Sequence, residues 1–326
     1  MNEIVKARCE LFLENRELIN KCALFDNNHI CIAAALVLTN SNRKIDVDKI
    51  KACKAILKKK ANVFSGFRGY IETILLCKMS MSSDPEKYCD DVIRITKMIQ
   101  KNRIFEYYGD ILAAMSICDL GKEDAAQELT DKCKTIMKRM SAEHPVLTDS
   151  NDTPFAMLLA FSEKDIDSII SEMEECFSYM KQNFRIGGNA NQGISEVLAL
   201  YNAPVQEKCD RVIDIYNKLK DRGQKYGKEY EFSALGVLSN LKVDIDELAD
   251  EISEAAELLH KDASFGNFFL GPESRRMFAS LLVANVYGED SDKLVNTVVS
   301  NSVSSIIATI IAEEIALMTI IIISAN

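Results

Sequence analysis

Seven short apolar segments recur along the chain at nearly constant spacing, and this regularity restricts the fold more than any other feature of the sequence. They are Ile32–Leu36, Ile71–Leu75, Ile111–Met115, Phe155–Leu159, Ile194–Leu198, Phe232–Gly236 and Met277–Leu281, with starts 39, 40, 44, 39, 38 and 45 residues apart. A repeat of about 40 residues is the mark of stacked helical hairpins, each of which buries its apolar face only against its neighbours.

The first six segments are each followed by a polar break (NSNRK, SMSSDPE, DLGKED, SEKD, NAPVQE, KVDIDE) and then a longer stretch; GEDSD follows the seventh. The longer stretches carry the helical period: Leu129, Cys133, Ile136, Met137, Met140; or Ile166, Ile169, Ile170, Met173, Cys176, Phe177, Met180. Val205, Cys209, Val212, Tyr216, Leu219 and Leu248, Ile252, Ala255, Leu259 repeat it. Intervening Asp, Glu and Lys give each long helix a solvated face. The short segments, such as FAMLLAF and ILAAMSIC, are apolar nearly all round and predict helices buried on most sides. Outside the C-terminus no segment combines sustained alternation with β-branched residues, so strands are not expected.

The pattern predicts an all-α protein of about seven tandem helical hairpins over residues 31–289, an α/α superhelix or solenoid-like repeat. An N-terminal helix in residues 1–30 precedes it, and an apolar C-terminal capping helix in residues 290–326 follows. Pro85, Pro154 and Pro204 fall where helices should begin. Gly109, Gly187, Gly188, Gly223, Gly227 and Gly266 follow the long helices, where a left-handed residue is wanted. Cys53, Cys89, Cys133, Cys176 and Cys209 occur in successive long helices. They read as small packing residues rather than as a redox relay or metal string.

Charge narrows the partners. With 39 basic and 49 acidic residues the chain carries a net charge of −10, a field that repels phosphate backbones, so no nucleic acid partner is expected. The dense run Lys54–Lys60 reads as the solvated face of an amphipathic helix. Ten cysteines without a CxxC pair, a charged Met1–Glu10 and three scattered histidines (His29, His144, His260) point to the cytoplasm, with no metal and no cofactor. Val303–Ile323 approaches the length of a membrane helix, but Glu313 and Glu314 at its middle would be costly there. It is expected to cap the last hairpin or to join two copies of the chain rather than to enter a membrane.

No nucleophile elbow, phosphate loop, dinucleotide fingerprint or metalloprotease helix is present. Stacked hairpins do bring the residues before each short helix to one edge: Arg68; Tyr107, Tyr108 and Asp110; Asn151 and Asp152; Asn189, Asn191 and Gln192. The edge continues through Glu229 and Glu231 to Glu273, Arg275 and Arg276. Helix N-termini there offer unpaired N–H groups to an anion or a peptide backbone, although many of these residues also suit ordinary capping. The binding candidates are Asp149, Asp152, Asn189, Asn191, Gln192, Glu273, Arg275 and Arg276. A His144–Asp acid/base pair in the loop HPVLTDSNDT is a weaker candidate.

These features favour a non-enzymatic scaffold that binds a protein or peptide along the loop edge. The alternative is a small-molecule binder or α/α-barrel-type enzyme whose pocket gathers Asp152, Asn189, Asn191 and Arg275.

DTPFAMLLA (152–160), GNANQGISEVLAL (188–200) and ESRRMFASLLVANVY (273–287) resemble motifs of the bacterial domain-of-unknown-function family 4003. The resemblance runs from about Phe12 onward and includes the apolar stretch Ile306–Ser324 with Glu313, Glu314 and Met318. Here the polar pair is acidic and the tail is rich in Ile, where the family's tail is mainly Ala. The resemblance implies no activity, cofactor or site residue.

Overall fold

Aspartates start four of the long helices. Asp46 accepts from the Lys49 N–H (3.0 Å), Asp84 from Lys87 (2.9 Å), Asp165 from Ser168 (2.9 Å) and Asp244 from Asp246 (2.9 Å). Each such cap satisfies an otherwise orphaned donor and stabilises its helix by about 1 kcal/mol. In the computed structural model, residues 1–22, 28–62, 65–69, 71–101, 108–265 and 271–289 are described. The predicted C-terminal helix, Tyr107 and Gly266 lie outside them.

The described residues form fourteen α-helices. The odd-numbered set is α1 (Glu3–Lys21), α3 (Val47–Lys60), α5 (Pro85–Ile99), α7 (Ala126–Glu143), α9 (Ile166–Asn183), α11 (Val205–Asp221) and α13 (Ile245–His260). Each is amphipathic. The even-numbered set is α2 (Asn28–Asn40), α4 (Glu72–Met81), α6 (Tyr108–Asp119), α8 (Thr153–Phe161), α10 (Gly188–Leu198), α12 (Ser233–Ser239) and α14 (Gly271–Glu289). These hold the recurring apolar segments, and α4, α6, α8 and α12 are buried along almost their whole length.

Each even-numbered helix packs on the odd-numbered helix before it, so α1 belongs with α2 and the chain makes paired hairpins from its first helix. Among even-numbered helices, α2 packs on α4, α6 on α8, α8 on α10, α10 on α12 and α12 on α14. The last hairpin then meets the first, with α14 against α1 and α2 and α13 against α1. The seam has an apolar centre, where the Phe12 ring lies 5.4 Å from that of Phe265 and 5.8 Å from that of Phe278. Its polar rim is made by the buried Arg8, which donates to Asn285 and to Glu289 (2.9 Å), and by the Asn2 N–H on the Glu251 carboxylate (2.7 Å).

The glycines depart from expectation. Among those expected after the long helices and described here, only Gly223 adopts the left-handed region, at φ +75°. Gly187 caps α10 in extended backbone, Gly109 and Gly188 lie inside α6 and α10, and Gly227 has no positive φ. Gly109 serves close approach instead: a Cβ there would sit 2.3 Å from the carbonyl oxygen of Ser150. A Gly109→Ala protein is therefore expected to lose about 1–3 kcal/mol, measured by denaturant unfolding. Unchanged stability would mean that the turn at Ser150 moves freely to make room.

The recurring cysteines are all buried, as packing residues should be. Cys176 and Cys209, on adjacent α9 and α11, also influence each other, which lowers the Cys176 pKa and raises that of Cys209. Among the described residues, no helix is long and apolar enough to cross a membrane.

Candidate functional site

The loop from α7 to α8 ends in a short 3-10 turn, Ser150–Asp152, built by two aspartates. Asp149 Oδ1 accepts from the Asn151 N–H (2.7 Å), and Asp152 Oδ2 accepts from the Asp149 N–H (2.8 Å). This reciprocal capping box fixes both carboxylates at the start of α8. Close contact with Gly109 of α6 holds the turn from behind.

Helix α10 supplies the facing wall. Asn189, Gln192 and Glu196 lie three and four residues apart, so they share one face. Gln192 Nε2 donates to Glu196 Oε1 at 3.3 Å. The next hairpin adds Glu229, Tyr230 and Ser233. Gly193 allows this close packing, because a Cβ there would stand 2.7 Å from Ser233 Oγ. Between the three hairpins lies a cavity of about 110 Å³ whose lining includes Asp149, Asp152, Asn189, Gln192, Glu196 and Glu229.

Its charged lining consists of four carboxyls and no basic group. Burial raises the pKa of Asp152 to about 7; the nearby Asp149 charge adds to the rise, against hydrogen bonds from the Asp149 N–H and Gln192. Glu196 has no solvent exposure, and burial with the Asp152 charge drives its pKa well above the ordinary carboxyl range. Glu196 Oε2 and Gln192 Oε1 are buried and receive no hydrogen bond from the protein. The site thus holds two unpaired buried acceptors among carboxyls, and burial inclines Asp152 and Glu196 to keep their protons near neutral pH.

The predicted candidates divide into two groups. Asp149, Asp152, Asn189 and Gln192 line this cavity; Asn191, Glu273, Arg275 and Arg276 do not. Asn191 points into the fold and donates to the Phe177 carbonyl (2.9 Å). Arg275 is buried and donates to the Phe265 carbonyl (2.9 Å), while Arg276 bonds Gln224 Oε1 (2.8 Å) and the Lys225 carbonyl (2.6 Å). Both arginines therefore tie loops to α14, and Glu273 stands half-buried in its first turn.

His144 turns away from the aspartates, with Nε2 3.0 Å from Glu174 and its ring 4.3 Å from that of Phe177. Glu196 is the site residue that sequence reasoning missed. Its signal was a polar stripe, Asn189–Gln192–Glu196, crossing a helix otherwise read as core. Among the described residues, no three His, Cys, Asp or Glu side chains are arranged to hold a metal ion.

Paired helical contacts throughout, with an acidic cavity between three hairpins, define an all-helical hairpin protein. The chain belongs to the family described as Protein of unknown function (DUF4003), which it matches over residues 17–312. That span carries all three sequence motifs that resemble the family. No curated protein and no solved structure matches the chain.

Proposed function

We propose that the hairpins form a closed α/α ring rather than an open solenoid, and that the protein is a cytoplasmic, non-enzymatic scaffold. Its working surface is the edge where odd-numbered helices hand over to even-numbered ones, and its partner is a protein or peptide. The contact of α14 with α1 and α2 supports the ring. Ten free cysteines accord with a reducing compartment.

One observation carries the binding role: loop-edge residues from three successive hairpins line one cavity of about 110 Å³. Small-molecule sites usually enclose about 300–1,000 Å³, so this cavity suits the end of a side chain better than a whole metabolite. The enzymatic alternative draws on the raised pKa values of Asp152 and Glu196, which suit acid/base work. It would require a substrate that places only a small group in the cavity.

Panning a random-peptide display library against the protein tests the reading. Enriched peptides should bind Asn189→Trp, which crowds the exposed mouth of the cavity, at least tenfold more weakly than wild type. Glu175→Trp, on the exposed face of α9, should leave their affinity unchanged. Equal binding to wild type and Asn189→Trp would rule out the loop edge as the docking surface.

A further inference from the structure

The acidic cavity has a more specific chemistry than a general docking surface. Two buried acceptors, Gln192 Oε1 and Glu196 Oε2, lack any donor, and each belongs to a side chain no more than 3% exposed. The Gln192 amide nitrogen is already turned to Glu196. Leaving such atoms unpaired is costly, so the complementary occupant brings hydrogen-bond donors. The lining carboxyls Asp149, Asp152, Glu196 and Glu229 come from all three hairpins that wall the cavity, and no basic side chain offsets them. The occupant therefore brings positive charge as well.

Two further features decide which cation. The acids do not converge as a metal cage requires, so a compact ion has no single point at which to sit. A guanidinium spreads five donors over a rigid plane and can serve acceptors that stand apart. Space agrees: an engineered cavity of about 150 Å³ holds benzene, so about 110 Å³ accommodates a guanidinium but not a much larger group.

We propose that the cavity bounded by Asp152, Gln192 and Glu196 is a socket for a guanidinium group, presented as an arginine side chain by the polypeptide that docks on the loop edge. This rests on the scaffold reading and names the chemistry of its anchor. When the guanidinium enters, Glu196 and Asp152 give up to solvent the protons that burial holds on them and pair with it as carboxylates, Gln192 Oε1 accepts one further N–H, and Asn189 stands at the mouth, beside the chain that carries the arginine. Glu196 Oε2 and Gln192 Oε1 then gain the donors that the protein does not supply.

Calorimetry at pH 7.5 with N-acetyl-arginine methylamide and its neutral citrulline counterpart tests the socket on the full chain. The arginine probe should bind at least tenfold more tightly than the citrulline probe, and Glu196→Gln should weaken it at least tenfold. Asp152→Asn, which keeps an acceptor for the Asp149 N–H, should weaken it similarly. Equal affinity of the two probes, or unchanged binding by Glu196→Gln, overturns the socket; the citrulline comparison needs no variant and is independent of folding. Methylguanidine binding as tightly as an arginine-bearing selected peptide would overturn the polypeptide source. Selected peptides that need Asn189 but contain no arginine would overturn the socket while leaving the loop edge intact.

Discussion

Replacing Phe12 by alanine lowers the stability of the protein by about 3–5 kcal/mol, the usual cost of removing a fully buried aromatic ring. Phe12 has no solvent exposure, and its two ring partners, Phe265 and Phe278, belong to the last hairpin, one in the turn after α13 and the other on α14. The lost contacts therefore lie at the join between the first and last units. This placement makes the mutation diagnostic of architecture. In an open stack the terminal unit has one neighbour, and weakening it frays that end while the remaining hairpins keep their stability. In a closed ring the first hairpin has neighbours on both sides, and loosening the seam weakens the whole fold. Native-state hydrogen exchange distinguishes the two. In the ring, amides of α1 and α14 are protected nearly as well as those of α10, and Phe12→Ala lowers all three together. Loss of protection confined to α1 and α2 would show that the seam contributes little and that the stack behaves as open.

The helices were readable because their causes are local. A 3.6-residue apolar period, an aspartate cap and a proline in the first turn all act within a few residues, so the sequence displays them directly. The contact between the last hairpin and the first has no such local sign. Arg8 and Glu289 read as unremarkable charged residues on the first and last helices, and only packing shows that they meet across the seam. The site was half readable for the same reason. Asp149, Asp152, Asn189 and Gln192 stood out as polar residues at helix starts, whereas Glu196 lay in a segment assigned to the core. Arg275 and Arg276 suggested anion binding because arginine pairs often do that. Their partners include the carbonyls of Phe265 and Lys225, backbone atoms that no residue type announces. Gly109 misled in the opposite sense. Its position after a long helix suggested a left-handed cap, but its role is to let α6 approach the turn that carries Asp152.

Glu196→Gln should make the protein more stable at pH 8 and leave it nearly unchanged at pH 4. Burial raises the Glu196 and Asp152 carboxyls above their ordinary range in the folded protein, while in the unfolded chain both return to ordinary values. At pH 4 the folded protein holds these protons and pays no ionisation penalty. As pH rises above about 4, the unfolded chain releases its protons first. Stability then falls by about 1.4 kcal/mol per pH unit for each group still protonated in the fold. For Asp152 the loss ends near its folded value of about 7; for Glu196 it continues to higher pH. Glutamine at position 196 keeps the side-chain size, carries no proton to lose, and provides an amide that can donate toward Gln192 Oε1. The variant should gain about 2 kcal/mol or more over wild type at pH 8, after allowance for relaxation around the buried group. Urea unfolding of both proteins at pH 4 and pH 8 measures the difference. A variant less stable than wild type at pH 8 would mean that Glu196 is held ionised by a favourable partner, and the acceptor-rich cavity would lose its physical basis. The same substitution is predicted to weaken the arginine probe, so stability and binding should move in opposite directions. That opposition separates a carboxyl kept for a ligand from one kept for the fold.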